Sequence, residues 1–137
     1  LPGEGIIDGL KEAAKGKDIG LLLIAQMSSQ GNFITPEYSA KAVELGRKHS
    51  NFVIGFIGSG SDPDNLRELR KMAGNDFMIF APGIQLKNER DSLGQAYADP
   101  RQAIEAGADV IIVGRGIYET DSPQKAADLY RRNAWKI

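Results

Sequence analysis

Four short apolar runs recur along the chain, and a segment with helical spacing of apolar residues follows each. The runs occupy residues 20–25, 51–57, 77–80 and 110–113. Their centres lie about 25 to 32 residues apart, close to the length of one strand-plus-helix unit. This alternation predicts a parallel sheet covered by helices. Four units suit a small open α/β sheet or about half of a (β/α)8 TIM barrel, whose complete form needs about 250 residues.

Length and composition limit the alternatives further. With 137 residues the chain can form one domain with its own core, but not two ordinary ones. The absence of cysteine excludes a disulfide framework and a thiolate zinc site. A net charge of −1 argues against a broad nucleic-acid surface, so an anionic ligand must be held by a local group of side chains. No apolar run approaches the roughly 18 residues that span a bilayer, and no secretion signal is visible.

The fourth run, residues 110–113, consists of four β-branched apolar residues and ends in Gly114-Arg115-Gly116. Such a run predicts a parallel strand buried on both faces. Glycine lets the backbone approach a ligand, and the planar guanidinium of Arg115 suits a phosphate. The alternative is an arginine that forms only a surface ion pair in the loop.

Polar side chains also follow the other strands, at the sheet edge where ligands bind in α/β proteins. They are Ser28 and Ser29 after the first strand, residues 58–61 after the second, and Pro82, Gly83, Gln85, Gln95 and Tyr97 after the third. In TIM barrels the loops after the last two strands frequently form a phosphate site. Donors in both of those loops therefore favour phosphate binding over a surface ion pair.

Other candidate sites give weaker signals. The segment from residue 84 to 97 is longer than the usual 2–6-residue connection and predicts a lid or binding loop, unless it is an inert surface excursion. His49, the only histidine, falls at a helix end before a strand and is predicted to be a surface residue. Neither Ser28 nor Ser29 has a candidate histidine base, which argues against a nucleophilic serine.

Six motifs together resemble the orotidine 5′-monophosphate decarboxylases of the eukaryotic kind, in the order in which that family has them. They are LLIAQMSS at 22–29, FVIGFI at 52–57, PGIQL at 82–86, DSLGQAY at 91–97, ADVIIVGRG at 108–116 and YRRNAW at 130–135. The resemblance covers essentially the whole chain. It implies a TIM-barrel fold and the decarboxylation of orotidine 5′-monophosphate (OMP) to uridine 5′-monophosphate (UMP), without a metal or organic cofactor.

The resemblance also implies roles for individual residues. Ser28 would hydrogen-bond the pyrimidine edge, and Pro82 with the loop after it would close over the ligand. The 5′-phosphate would be bound by Gln95, Tyr97, the Gly114 amide and Arg115. The chain departs from the family pattern at Ala81, where threonine is frequent, at Ala96, where a second glutamine is common, and at Gln26, where an acid is common. The connection at residues 58–62 also looks shorter.

The family's catalytic Asp-x-Lys-x-x-Asp pattern does not occur in this sequence. Residues 1–137 are therefore expected to form the C-terminal half of a single decarboxylase barrel, covering about the last four βα units and inactive alone. The expected partners are a small nucleotide and either an N-terminal half-barrel or a second copy of the chain. The absence of cysteine suits a cytoplasmic protein, and the strand edges that a free half-barrel exposes at residues 21–25 and 110–113 predict pairing with a second copy, as a homodimer, or with the missing half. The alternatives are another phosphate-binding TIM barrel acting on a sugar phosphate, and a non-catalytic half-barrel that only binds phosphate.

Overall fold

The computed structural model describes residues 3–29, 31–86 and 97–135. Helices and strands alternate along these residues from the first element to the last. In chain order they are α1 (Glu4–Ala13), β1 (Leu21–Ile24), α2 (Pro36–Lys48), β2 (Val53–Ile57), α3 (Pro63–Ala73), β3 (Met78–Ala81), α4 (Pro100–Glu105), β4 (Val110–Ile111), α5 (Arg115–Tyr118) and α6 (Pro123–Trp135). No helix in these ranges is both long enough and apolar enough to cross a membrane.

The four strands form one parallel sheet in the order β1-β2-β3-β4. Each connection between sequential neighbours carries a helix, as the spacing of the apolar runs predicts. All carboxyl ends of the strands consequently lie at the same edge of the sheet. The predicted α/β organisation is confirmed.

Local sequence signals fix where several helices begin. Thr35 caps α2 by accepting a hydrogen bond from the Tyr38 amide at 3.3 Å, and Asp99 caps α4 by accepting one from the Arg101 amide at 2.8 Å. A proline follows each cap at the first helical position, where its fixed φ suits the helix and its missing N–H is not needed.

Only one face of the sheet is covered in the described part of the chain. Leu23, Phe56 and Ile79 are register neighbours on the covered face, and each is at most 3% exposed. Because side chains alternate between the faces of a strand, Met78 and Ile112 lie on the opposite face, where each is 42% exposed. The prediction that the run 110–113 is buried on both faces is wrong, because the helices pack against one face only.

His49 is also placed differently from the prediction. It ends α2 and is only 9% exposed, so the prediction of a surface residue is wrong. Its ring lies beneath α1, with Nε2 at 3.9 Å from the Glu4 carboxylate and Nδ1 at 3.8 Å from the Asp8 carboxylate. The docking of α1 covers this helix end, and a pattern local to residue 49 carries no information about that contact.

Candidate functional site

A cleft of about 210 Å³ lies at the carboxyl edge of the sheet. Segments that follow β1, β3 and β4 contribute its walls, so residues far apart in sequence meet there. The lining residues are Ser28, Pro82, Gly83, Ile84, Tyr97, Ile112, Gly114, Arg115, Gly116 and Tyr118. This is the edge at which the sequence predicts ligand binding.

Arg115 and Tyr97 are in direct contact in this cleft. The guanidinium Nη2 donates a hydrogen bond to the Tyr97 hydroxyl oxygen at 2.6 Å, and the guanidinium carbon lies 5.9 Å from the centroid of the same ring. The phenol therefore restrains the long arginine side chain through both a hydrogen bond and a cation–π contact. A guanidinium has five N–H donors in a fixed planar arrangement, which matches the oxygens of a phosphate.

The turn that carries Arg115 is built by backbone hydrogen bonds at the end of β4. The Ile112 amide donates to the Ala81 carbonyl at 2.9 Å, which holds the end of this segment beside β3. The Gly114 carbonyl then accepts from the Ile117 and Tyr118 amides at 2.8 and 3.2 Å, which begins the short helix α5. Arg115 is the first residue of that helix, so its position follows from where β4 ends.

A second tight contact positions Pro82. The Gly60 amide, from the connection after β2, donates a hydrogen bond to the Pro82 carbonyl at 3.0 Å. A Cβ at position 60 would lie 2.4 Å from that carbonyl oxygen, so only glycine fits there. The connection between β2 and α3 thus holds Pro82 in place in the cleft wall, although it does not line the cleft itself.

Gln26, where the family commonly has an acid, does not line the cleft. Its side chain is 8% exposed and turns towards the connection after β2. There Nε2 donates to the Asn65 carbonyl at 2.7 Å, and Oε1 accepts from the Ser59 amide at 3.0 Å. A neutral amide serves this position because one end donates and the other accepts, which an ionised carboxylate cannot do.

The sequence-predicted site residues converge to the extent that the structure describes them. Ser28, Pro82, Tyr97, Gly114 and Arg115 all line the one cleft. Gln95 lies outside the described residues, as do Ala96 and most of the loop predicted to be a lid.

Sequence reasoning missed Ile112 and Tyr118 as lining residues. Strict alternation along the fourth strand could have found Ile112, since its neighbour Ile111 takes the covered face. Tyr118 had no usable signal, because the stretch containing it shows no helical pattern and α5 has only four residues.

The chemistry of the described lining is that of binding. It offers hydroxyl, guanidinium and backbone amide groups, and no lysine, aspartate, glutamate or histidine is among the lining residues that the structure describes. Over the same residues, no three histidine or carboxylate side chains are grouped so that they could hold a metal ion. The pKa shifts lie on helix surfaces elsewhere: hydrogen bonds lower the pKa of Glu4 through Lys48 and the pKa of Asp128 through Arg131.

Comparison with known proteins connects this geometry to one family. The chain is 42% identical over 142 residues to the orotidine 5′-phosphate decarboxylase of Emericella nidulans, covering 99% of this chain and 52% of that protein. Its fold is similar to that of the crystal structure of orotidine 5′-phosphate decarboxylase from Pyrococcus horikoshii OT3, with a TM-score of 0.71 and 26% identity over 93% of this chain and 55% of that one. The enzyme from Methanocaldococcus jannaschii, crystallised with the inhibitor BMP, has the same fold with a TM-score of 0.75 and 22% identity, over 97% of this chain and 57% of that one.

The chain therefore spans about half the length of the curated relatives it matches, with 52% of the Emericella protein covered. The expected TIM-barrel class is confirmed, since the parallel sheet and alternating helices match about half of these barrels. The model of the orotidine 5′-phosphate decarboxylase / HUMPS family matches residues 1–130. On that match and on the relatives that accompany it, this chain belongs to the orotidine 5′-phosphate decarboxylase / HUMPS family.

Proposed function

We propose that residues 1–137 form the C-terminal half of a single barrel domain, and that the complete barrel converts OMP to UMP in pyrimidine biosynthesis. This chain supplies the groups that bind the phosphate and the pyrimidine. The observation that carries the proposal is the contact between Arg115 and Tyr97, at 2.6 Å, in a cleft that Ser28 also lines. A cation and hydroxyls gathered at the end of a parallel sheet are suited to a nucleotide with a phosphate at one end and a polar ring at the other.

Each predicted residue has a role in this proposal. Arg115 carries the charge that pairs with the 5′-phosphate, with Tyr97, the Gly114 amide and Gln95 as further donors. Ser28 hydrogen-bonds the pyrimidine edge, and Pro82 with the loop after it covers the ligand. Support comes from the family membership and from the common wall that Ser28, Pro82, Tyr97, Gly114 and Arg115 share.

The contribution of these groups to catalysis is indirect. Decarboxylation breaks the bond between C6 and the carboxylate, and the carbanion that remains must be stabilised and then protonated. Binding energy from the distant phosphate can offset the cost of orienting and desolvating the reacting ring. Because the Asp-x-Lys-x-x-Asp pattern is missing from this sequence, we expect no decarboxylation by the 137-residue chain alone. Turnover by the purified chain that Arg115→Ala abolishes would contradict this expectation.

Ligand titration tests the proposed binding site. The purified chain is titrated by NMR with UMP, uridine, ribose 5-phosphate and inorganic phosphate. We expect UMP to bind more tightly than either ribose 5-phosphate or uridine, because phosphate and base contacts act together. Equal affinity for UMP and ribose 5-phosphate would instead favour a sugar-phosphate enzyme, and equal affinity for UMP and inorganic phosphate would favour a phosphate-binding half-barrel.

Arg115 variants make the same test residue-specific. Arg115→Ala should weaken UMP binding about 30- to 150-fold, because a charge-assisted pair with phosphate is worth about 2–3 kcal/mol. Arg115→Lys should recover part of the loss, since it keeps the charge but not the planar fork. The matched control is Arg67→Ala on the exposed surface of α3, which should leave the UMP affinity unchanged. Equal losses for Arg115→Ala and Arg67→Ala would refute the phosphate assignment.

A partner for the open face of the sheet is part of the proposal. Ile24, Met78 and Ile112 are between 42% and 49% exposed on that face, and β1 and β4 leave strand edges at its two ends. An N-terminal half-barrel or a second copy of this chain would cover the apolar side chains and pair with the edges. We also propose that the protein is cytoplasmic. We expect sedimentation of the isolated chain to show a dimer. A stable monomer at high protein concentration would count against self-association.

A further inference from the structure

Tyr130 is a buried phenol that reaches the back of the cleft from an element outside it. It belongs to α6, is 4% exposed and is not among the residues that line the cleft. Its hydroxyl oxygen accepts a hydrogen bond from the Leu86 amide at 3.3 Å. Leu86 belongs to the segment after β3, the segment that also contains Pro82. The phenol thus connects α6 to one wall of the cleft.

The same hydroxyl lies directly against the turn that carries Arg115. A Cβ added to Gly116 would lie 2.1 Å from the Tyr130 hydroxyl oxygen, and its next neighbours in the ring would be 3.0 and 3.3 Å away. Gly116 follows Arg115 in the first turn of α5. Glycine is needed there for space, because any side chain would displace either the phenol or the turn.

We infer that Tyr130 is a positioning residue that fixes the turn at Gly116 and the segment at Leu86 relative to each other. The inference rests on the proposed function, because that turn presents Arg115 to the phosphate. A phosphate-binding site formed by two separate loops binds tightly only if the distance between the loops is fixed before the ligand arrives. Tyr130 fixes the distance between these two loops through its hydroxyl oxygen, which contacts both of them. It does so from the side of the loops that faces away from the cleft, without touching the ligand.

Removal of that oxygen gives a direct test. Tyr130→Phe keeps the ring and deletes the hydroxyl. We expect the dissociation constant for UMP to rise about five- to tenfold, because the roughly 1 kcal/mol that this hydrogen bond contributes to holding the loops together would then be lost from the binding energy when UMP orders them. The dissociation constant for uridine, which has no phosphate, should stay within about twofold. Tyr38→Phe on α2 makes the same chemical change outside the cleft and should alter neither constant.

A second variant uses the steric contact. Gly116→Ala should weaken UMP binding more than tenfold, because its methyl group meets the hydroxyl oxygen at 2.1 Å. In the Tyr130→Phe background the nearest remaining atom is the ring carbon at 3.0 Å, so the same substitution should weaken UMP binding by less. The two effects are therefore expected to be less than additive.

The outcomes separate this inference from the proposal on which it rests. If the unmodified chain prefers UMP to both ribose 5-phosphate and uridine while Tyr130→Phe leaves the preference for UMP over uridine intact, the positioning role is overturned and the proposed function stands. Additive effects of Gly116→Ala and Tyr130→Phe would also overturn it. A purely structural role would lower the free energy of unfolding without changing the UMP-to-uridine ratio, which overturns it as well. If the unmodified chain does not prefer UMP, both the proposed function and the inference fail.

Discussion

Arg70 joins the sheet to α3 at the edge opposite the cleft, and we expect Arg70→Met to destabilise the chain substantially. Nη1 donates to the carbonyls of Gly74 and Phe77 at 2.6 and 2.9 Å, and Nε and Nη2 donate to the Gly107 carbonyl at 3.0 and 2.7 Å. Nη2 also pairs with the Asp109 carboxylate. One side chain therefore fixes the segments that enter β3 and β4.

The magnitude follows from how these groups are buried. The Arg70 side chain is only 20% exposed, so several of its carbonyl partners would lose their donor with little access to water. Hydrogen bonds that involve a charged group contribute about 1.5–3 kcal/mol each, and less where water can replace the lost donor. We expect Arg70→Met to lower the free energy of unfolding by about 3 kcal/mol, since methionine retains the packing of the aliphatic stem. Arg70→Lys should recover only part of the lost stability, because lysine keeps the charge but not the planar guanidinium group.

Urea unfolding followed by circular dichroism measures the effect, with all variants at one protein concentration because association would shift the apparent stability. Arg67→Met on the same helix is the matched control. Arg67 is 50% exposed and pairs with Asp64 one turn away, a kind of surface contact worth less than about 1 kcal/mol. If Arg70→Met were no more destabilising than Arg67→Met, the assignment of Arg70 as a link between α3 and the sheet would be refuted.

Two further changes test other parts of the structure. Gly60→Ala should lower the free energy of unfolding by about 2 kcal/mol or more and weaken UMP binding, because its methyl group would lie 2.4 Å from the Pro82 carbonyl oxygen. The control is Gly9→Ala, which should be neutral or stabilising because a Cβ at that position would have nothing within 4 Å. Equal free energies of unfolding for the two variants in urea would contradict the reasoning. The hydrogen bond from Lys48 lowers the pKa of Glu4 below 4.5, so its stabilising effect is present above that pH and is lost as the pH falls through the folded-state pKa. The stability difference between the unmodified chain and Glu4→Gln should therefore shrink on acidification below 4.5, and a pH-independent difference in urea unfolding would contradict it.

Much of the fold could be predicted from the sequence, because its signals are local. Apolar runs about one βα unit apart predict the number and direction of the strands. Thr35 before Pro36 and Asp99 before Pro100 predict helix starts that the structure confirms through side-chain hydrogen bonds to the backbone. These features depend on residues within one or two turns of each other, so no knowledge of the tertiary structure was needed.

The candidate site was predictable in outline for a related reason. Parallel strands bring their carboxyl ends to one edge, so polar residues after successive strands must be near one another. Arg115 and Ser28 were therefore identified by position along the chain. That Arg115 contacts Tyr97 at 2.6 Å, and that Gln26 turns away from the cleft to bind Asn65 and Ser59, required the packed loops.

The amino-acid sequence by itself determined the parallel βα order, the helix starts and the edge at which a ligand is expected to bind, since all of these follow from local pattern. Only the tertiary structure decided that His49 is buried beneath α1, that Ile112 faces the open side of the sheet and that the Tyr130 hydroxyl reaches Gly116. Each of these depends on how distant segments pack, and packing is set by the combined shape of many side chains rather than by any local periodicity.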